Sequence, residues 1–257
     1  MAGMNDDTTI VIPAKDEAPS IRAVVDRCRP FAREVIVVDG HSSDDTVARA
    51  LVAGARVLYD GGRGKGDAIR TAIPAITTPI SVFLDADGSH DPGDIPRLTA
   101  PIREGIADHV SASRLIGGSG ELHGGFDEFF RLAGSAFITA CINRRFGVRL
   151  SDSQNGFRAI RTEVLRQLEL RSNSTTIEQE MIIKTLAAGF RLVEAPSHEY
   201  PRRFGQSHIH IWGVMPAYAL SLTRNLIVAP GTAAGRRRRA IAVMPPVGAS
   251  SAVGRRE

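Results

Sequence analysis

The sequence predicts an α/β fold with a mostly parallel sheet flanked by helices. Two observations support this prediction. Short runs rich in Val and Ile alternate with helical patterns through the first half of the chain, and such alternation favours parallel strands joined by right-handed crossovers. The 257 residues, 43% hydrophobic and 23% charged, are also typical of a globular protein long enough to bury a large core.

Five runs in the first half are predicted strands, because they are short, β-branched and bounded by turn residues. They are residues 8–13, 34–39, 55–60, 80–85 and 108–113. Helices are predicted between them at 20–29, 43–53, 65–76 and 95–104. Ligands of open parallel sheets bind beyond the carboxyl ends of the strands. One cleft is therefore expected to gather residues 13–17, 39–42, 60–66 and 85–90.

The second half is less regular. Helices are predicted at 127–146, 162–168 and 176–188, and strands at 156–161 and 191–196. Residues 209–227 are predicted to form one or two amphipathic helices that lie on a surface. The most apolar stretch there, 211–222, is interrupted by Pro216 and is shorter than the roughly 20 residues that span a bilayer. No transmembrane helix is predicted.

The positive charge is concentrated at the C-terminal end. The net charge is +4, and residues 230–257 contain six Arg and one Glu. The run 236–239 is all Arg in a background of Ala, Gly and Pro, which favours a disordered tail. The alternative is a segment attracted to an anionic membrane surface, at about 1 kcal/mol per Arg.

The two cysteines, Cys28 and Cys141, lack metal-ligand spacing and indicate reduced thiols in the cytoplasm. The first residues are acidic and contain no apolar stretch of the kind found in a secretory signal. A cytoplasmic protein is therefore expected.

The stretch FLDADGSHDP (83–92) holds two aspartates one residue apart at a predicted strand end. In extended backbone, Asp85 and Asp87 point to the same side. Mg²⁺ and Mn²⁺ bind oxygen ligands, often one or two carboxylates together with substrate phosphates. A metal site is one interpretation. The other is a strand-to-helix turn, which uses the same residue types.

The loop GGRGKGDA (61–68) has closely spaced glycines before a predicted helix. Such a loop can present backbone N–H groups and a helix N-terminus to an anion. It lacks the Gly-Lys-Ser/Thr of a P-loop and does not match the dinucleotide fingerprint. The alternative is a flexible turn whose Lys65 faces water.

Seven short blocks follow one another along the chain: IPAKDE (12–17), VVDGHSSDDT (37–46), RGKGDA (63–68), FLDADGSHDP (83–92), SR (113–114), DSQNGFRAI (152–160) and RRFGQS (202–207). In this order they resemble family 2 glycosyltransferases of the GT-A fold, and among them the polyprenyl-phosphate sugar synthases of the dolichyl-phosphate mannose synthase type. The resemblance covers about residues 8–210. It implies an inverting, metal-dependent transfer of a hexose of the mannose or glucose type.

On the donor side, the resemblance implies that the nucleotide sugar is bound by Pro13, Ala14, Asp16, Glu17, Asp39, Lys65 and Asp85. It implies a Mg²⁺ or Mn²⁺ site formed by Asp85, Asp87 and Ser89. Ser89 stands where many relatives carry Gln, and Gly40 stands where many carry a second aspartate directly after the one that matches Asp39. Both departures bear on the choice of nucleotide.

On the acceptor side, the resemblance implies an acceptor phosphate bound by Arg114, Arg131, Ser135, Arg202 and Ser207. Arg131 and Ser135 are four residues apart and share one face of a predicted helix. A guanidinium can clasp phosphate oxygens with paired hydrogen bonds. The alternative for each Arg is an ordinary surface residue, because the chain has only three Lys.

Catalysis is expected to involve Asp87, Arg114 and Asp152. A phosphate acceptor is already anionic, so positioning and charge stabilisation are expected to dominate. Asp152 is the candidate for orienting the acceptor, or for a general base if the acceptor is an alcohol. Its alternative is a turn cap. Glu178 and Glu180 are interpreted as acidic residues at a helix start rather than as a paired-acid site.

These observations divide the chain into a GT-A catalytic domain (1–208), an amphipathic segment of interface helices (209–229) and a basic tail (230–257). The hypothesis is transfer from a GDP- or UDP-hexose to a polyprenyl phosphate, by a peripheral protein at the cytosolic membrane face or beside a membrane-anchor partner, with no nucleic acid involved. The rivals are the same fold with a soluble acceptor, a sugar nucleotidyltransferase, and a nucleotide-sugar-binding regulator without catalysis.

Overall fold

The structure, a computed structural model, describes residues 6–118, 126–201 and 211–228, and gives only the backbone of 126–131, 211–217 and 228. These residues form a seven-stranded sheet. Its strands are β1 (Thr8–Ala14), β2 (Glu34–Asp39), β3 (Arg56–Tyr59), β4 (Ile80–Phe83), β5 (His109–Ser113), β6 (Arg158–Arg161) and β7 (Leu192–Pro196). The strand order is β3-β2-β1-β4-β6-β5-β7.

The helices follow the predicted alternation in the first half. They are α1 (Ile21–Cys28), α2 (Thr46–Val52), α3 (Lys65–Ala72), α4 (Ile95–Arg103), α5 (Arg114–Gly117), α6 (Phe126–Phe146), α7 (Thr162–Gln167), α8 (Ile177–Ala187) and α9 (Ile211–Val228). Short 3₁₀ turns, two of which extend α1 and α3, cover Arg29–Phe31, Ile73–Ala75 and Pro92–Asp94. The predicted α/β class with a mostly parallel sheet is confirmed.

The sheet is parallel except at one strand. β1 pairs in parallel with β2 and β4, β2 with β3, and β5 with β7, whereas β6 is antiparallel to both of its neighbours. Two predicted strand ends were too long, because β3 and β4 end before Asp60 and Asp85. Both aspartates belong to the loops beyond the sheet and are not part of the ladder.

Successive side chains of a strand point to opposite faces of the sheet, so each strand contributes to two apolar layers. In β1, Ile10 and Ile12 pack in one cluster with residues of α1 and α4, and Val11 packs in the other with residues of α3, α7 and α8. All three side chains are fully buried. The sheet therefore holds the carboxyl ends of β1, β2 and β4 in fixed relative positions.

A third apolar cluster joins α6, α8 and α9. It includes Ile142 and Phe146 of α6, Ile182 of α8 and Leu222 of α9. Residues 209–227 were predicted to form one or two helices, and α9 runs as a single helix through Pro216. No described helix combines the length and apolar character needed to cross a membrane.

Candidate functional site

A cavity of about 1230 Å³ opens beyond the carboxyl ends of the strands. The four segments expected to converge all contribute to its wall. They supply Pro13, Ala14, Lys15 and Glu17; Gly40; Asp60, Gly62, Arg63, Gly64 and Lys65; and Asp85, Ala86, Asp87 and Ser89. The predicted cleft is confirmed.

Two carboxylates and a hydroxyl form the centre of the cavity wall. Asp87 is 4% exposed, and its Oδ1 accepts hydrogen bonds from the backbone N–H of Ser89 at 3.0 Å and from the Ser89 hydroxyl at 2.7 Å. Asp85 retains a partly exposed side chain. Within the described residues, no group of three His, Cys, Asp or Glu is arranged to hold a metal. Among the described residues, Asp85, Asp87 and Ser89 therefore bring oxygen atoms to the cavity without forming a closed metal site.

A partly buried lysine, Lys65, neutralises Asp85. Lys65 Nζ lies 2.5 Å from Asp85 Oδ1 and 2.5 Å from Glu178 Oε1. Burial favours the neutral acid, but the Lys65 ammonium and nearby His90 hold the pKa of Asp85 well below its usual range. Conversely, Asp85 and Glu178 outweigh the effect of burial and raise the pKa of Lys65. Lys65 therefore does not face bulk water, and the alternative of a solvated turn lysine is wrong.

Glu178 is a cavity residue that sequence analysis missed. It had been interpreted only as an acidic residue at a helix start, and it does lie at the start of α8. Its side chain also lines the cavity and pairs with Lys65, which is 113 positions away in the sequence. Only the tertiary fold brings the two together.

Gly156 leaves room for the charged side chains of Lys65 and Asp85. A Cβ at this position would lie 2.7 Å from Lys65 Nζ and 2.9 Å from Asp85 Oδ2. Such contacts are closer than non-bonded atoms allow. The glycine of DSQNGFR therefore lets the backbone approach the Lys65–Asp85 pair directly.

Arg114 lines the cavity and is hydrogen-bonded to the carboxylate of Asp152. Its Nε and Nη2 donate to the Asp152 carboxylate at 2.6 and 3.0 Å, and Nη1 lies 3.6 Å from Glu199 Oε2. Burial alone would raise the pKa of Asp152, but the guanidinium lowers it. Arg114 lines the cavity wall, whereas Asp152 is 2% exposed and lies outside the wall formed by the described residues. Asp152 thus holds Arg114, and its role in catalysis stays a prediction.

The remaining predicted acceptor residues are only partly described. Ser135 of α6 lines the cavity. Arg131 lies one helical turn earlier in α6, where the structure gives the backbone alone. Arg202 and Ser207 lie outside the described residues. The expected convergence of three arginines stays a prediction.

The far side of the cavity is apolar. Its wall there comes from α6 and α9 and contains Phe137, Ile138, Cys141, Ala219, Leu222, Leu226 and Ile227. Phe137 is 67% exposed and Ile227 is 75% exposed, so the apolar wall reaches the protein surface. Sequence analysis had predicted a surface helix at 209–227 but not that its residues would line the cavity.

Two predicted nucleotide-binding carboxylates hold loops together. Asp39 is 1% exposed and accepts hydrogen bonds from the Ser42 N–H and hydroxyl at 3.0 and 2.6 Å. Asp16 has a positive φ of 54° and accepts from the Ser43 N–H at 2.7 Å. Their direct contact with a nucleotide stays a prediction.

Three backbone N–H groups of the glycine loop are not available to an anion, although anion binding was one of the two interpretations of this loop. The N–H of Gly61 donates to Asp67 at 2.9 Å, that of Gly62 to Asp60 at 2.7 Å, and that of Gly66 to the Asn173 carbonyl at 2.8 Å. These three donors are satisfied within the protein. The anion-binding interpretation is therefore wrong for these three N–H groups, because Asp60, Asp67 and the Asn173 carbonyl already accept their hydrogen bonds.

Comparison with known proteins adds a family match. The model of "Glycosyl transferase family 2" matches residues 9–169. An uncharacterized glycosyltransferase of Mycobacterium tuberculosis is 33% identical over 209 residues, which are 81% of this chain and 91% of that protein. A dolichyl-phosphate hexose transferase of Haloferax volcanii is 30% identical over 207 residues, which are 79% of this chain and 87% of that protein.

Among solved structures, glucosyl-3-phosphoglycerate synthase of M. tuberculosis superposes with a TM-score of 0.67 at 24% identity, over 88% of this chain and 81% of that one. That enzyme has been crystallised with phosphoglyceric acid, with Mn²⁺, UDP and glucosyl-3-phosphoglycerate, and with Mg²⁺ and UDP. At this identity the likeness shows the shared fold.

Proposed function

The chain belongs to glycosyl transferase family 2 and has the GT-A fold, and from this premise we propose that it transfers a hexose from a nucleoside diphosphate sugar to a polyprenyl phosphate, with inversion. The observation that supports this most is the composition of the cavity wall. One cavity joins the carboxylates of Asp85 and Asp87 to an apolar wall that reaches the surface at Ile227. A polar donor and a lipid acceptor need such a combination.

The donor end fits a Mg²⁺ or Mn²⁺ ion. Asp85, Asp87 and Ser89 supply only oxygen atoms, which such cations prefer. The Ser89 hydroxyl donates its hydrogen to Asp87, so its lone pairs remain for a cation. A bound ion would stabilise the negative charge of the leaving nucleoside diphosphate. The partial shell agrees with an ion that the donor's own phosphates help to bind.

The acceptor phosphate is assigned to Arg114 and Ser135, which both line the cavity. Asp152 fixes the guanidinium through two hydrogen bonds and leaves its other nitrogen, Nη1, on the side of Glu199. A phosphate monoester attacks the anomeric carbon through an oxygen that is already ionised. The buried Asp152 therefore does not need to remove a proton, and positioning accounts for its role.

The apolar wall of α6 and α9 is assigned to the isoprenoid chain. Burying apolar surface contributes roughly 25 cal/mol per Å², and Phe137, Leu226 and Ile227 present such surface along the cavity. The similarity to a dolichyl-phosphate hexose transferase supports the same assignment. A lipid acceptor also requires access from a membrane, so we place the chain at the cytosolic membrane face as a peripheral protein.

The test is a transfer assay with the purified chain, Mn²⁺ and labelled GDP-mannose, GDP-glucose or UDP-glucose. Each donor is offered with polyprenyl phosphate and, separately, with 3-phosphoglycerate. We expect label in the organic phase as a lipid-linked sugar, from one donor preferentially, and none with the Asp87→Ala variant. Transfer to 3-phosphoglycerate alone would show a soluble acceptor. A separate reaction with a nucleoside triphosphate and a sugar 1-phosphate tests for a nucleotidyltransferase, which would release pyrophosphate.

A further inference from the structure

The part of the cavity wall formed by the loops after β2 and β3 contains a carboxylate without an assigned role. Asp60 follows β3 and lines the cavity beside Gly40, which follows β2. A Cβ built on Gly40 would lie 3.7 Å from Asp60 Oδ2. Asp60 thus brings a carboxylate from the end of β3 close to Gly40 at the end of β2.

The two oxygens of Asp60 differ in their surroundings. Oδ1 accepts the Gly62 N–H at 2.7 Å, and His41 Nε2 lies 3.9 Å from the same oxygen. No donor among the described residues lies within hydrogen-bond distance of Oδ2. The side chain is only 2% exposed. Oδ2 therefore has lone pairs that no described protein donor uses, and the cavity is the side from which a ligand can bring a donor.

The separation along the sheet suits a nucleotide. β3, β2, β1 and β4 are successive neighbours, and strands lie about 4.8 Å apart, so the ends of β3 and β4 are roughly 14 Å apart. A ribose and two phosphates are long enough to cover this distance. A diphosphate held at Asp85 and Asp87 would therefore place its base near Asp60.

We propose that Asp60 selects the nucleobase of the donor by accepting a ring N–H at Oδ2. Uracil offers N3–H and guanine offers N1–H, whereas cytosine and adenine present a ring lone pair at the corresponding edge and would be repelled. Gly40 leaves the room through which the base reaches the carboxylate. This inference rests on the proposed use of a nucleoside diphosphate sugar and names the feature of the nucleotide that is recognised.

The experiment is calorimetric binding of GDP, UDP, CDP and ADP to the full chain in the presence of Mn²⁺. We expect GDP or UDP to bind tightest. Asp60→Asn should lower the affinity for that nucleotide by a factor on the order of 10 to 100, which is the range for the loss of a hydrogen bond to a charged group. CDP and ADP should keep or gain affinity, because the amide can donate to their ring nitrogen. A preference ratio that stays unchanged in Asp60→Asn overturns the proposal.

Two further measurements separate recognition from folding. The first uses nucleotides methylated at the ring nitrogen, 1-methyl-GDP or 3-methyl-UDP, which should bind the unmodified chain more weakly by a similar factor. Equal affinity for the methylated and unmethylated nucleotides overturns the proposal without any variant. The double variant Gly40→Asp with Asp60→Asn restores a carboxylate from β2, where the Cβ makes only contacts of 3.5 Å or more. We expect it to regain the preference for the N–H-bearing base.

The matched control is Asp108→Asn, because Asp108 is paired with Arg191 and lies outside the described cavity wall. It should leave all base preferences unchanged. These measurements need no acceptor, so they separate two failures. If no nucleoside diphosphate binds, the proposed function fails as well, whereas binding without preference among the bases overturns the role of Asp60 alone.

Discussion

The two ends of the cavity are organised by different interactions. At the donor end, side chains are paired with one another at short distances, as Lys65 is with Asp85 and Glu178. At the acceptor end, α6 and α9 contribute mainly apolar contacts, and α9 is tied to the rest by hydrogen bonds such as that from the Tyr218 hydroxyl to Thr175 at 2.8 Å. The difference suits the proposed donor end to precise positioning and the proposed acceptor end to a ligand that is recognised by its apolar area.

The largest effect is expected from Asp87→Asn. The amide keeps the size of the side chain and can still accept from Ser89, but it removes the charge that a metal ion needs. We expect the transfer rate to fall by roughly 10²- to 10³-fold, the loss typical when one electrostatic contact to the reacting centre is removed. Initial rates at saturating donor and Mn²⁺ measure it. Asp7→Asn, which alters the distant pair with Arg103, should leave the rate unchanged, and a rate equal to wild type in Asp87→Asn would refute the site.

The next largest effect is expected on stability, from Asp152→Ala. This change leaves the guanidinium of Arg114 in a poorly solvated position without its main partner. Breaking a buried pair in this way costs about 3 kcal/mol. Urea unfolding followed by circular dichroism measures the loss, and a change below about 1 kcal/mol would mean that the pair is well solvated.

Asp152 also predicts a dependence of stability on pH. Its pKa is lowered in the folded protein, so its contribution is fully present above the unfolded value of about 3.9 and is lost as the pH falls through the folded value. We expect the stability lost by Asp152→Asn, relative to wild type, to shrink as the pH is lowered below about 4. Parallel unfolding curves between pH 3 and 7 test this, and a difference that grows on acidification would contradict it.

A smaller effect is expected from Gly156→Ala, which disturbs the donor end without removing a charge. The added methyl group would lie too close to Lys65 and Asp85, so at least one of these side chains must shift. We expect a roughly tenfold loss of donor affinity, equivalent to about 1.4 kcal/mol. Titration with nucleotide and Mn²⁺ measures it. Gly105→Ala is the control for the loss of a glycine, because nothing lies within 4 Å of its Cβ position, although its positive φ adds strain there. Equal donor affinities in the two variants would contradict the proposed role of Gly156.

The smallest effect is expected at the acceptor end, from Phe137→Ala. The ring is 67% exposed, so stability should change little. Loss of apolar contact should raise the KM for a long-chain polyprenyl phosphate several-fold and leave nucleotide affinity unchanged. Leu51→Ala is the matched control, because Leu51 is 55% exposed and lies away from the cavity wall. A change in nucleotide affinity instead would erase the distinction between the two ends.

The sequence predicted the donor end better than the acceptor end for a physical reason. Strand periodicity places residues such as Asp85 and Asp87 at a sheet edge, so their proximity follows from local pattern. The pairing of Lys65 with Glu178 depends on two helices from distant parts of the chain, and no local pattern reports it. Periodicity also does not reveal strand direction, which is why the antiparallel β6 was not predicted. The apolar wall was missed because it forms only when α6 packs against α9.

The order of strands in the sheet has a consequence for how the chain folds. β3, β2, β1 and β4 all come from residues before 84 and pair among themselves. β5 pairs only with β6 and β7, so it has no partner until residues 158–161 have been synthesised. Contacts between residues far apart in sequence form late, because loop closure must precede them. During synthesis on the ribosome, β1 to β4 can therefore pair before β5 has a partner. For that interval the emerging chain has an open, apolar sheet edge at β4.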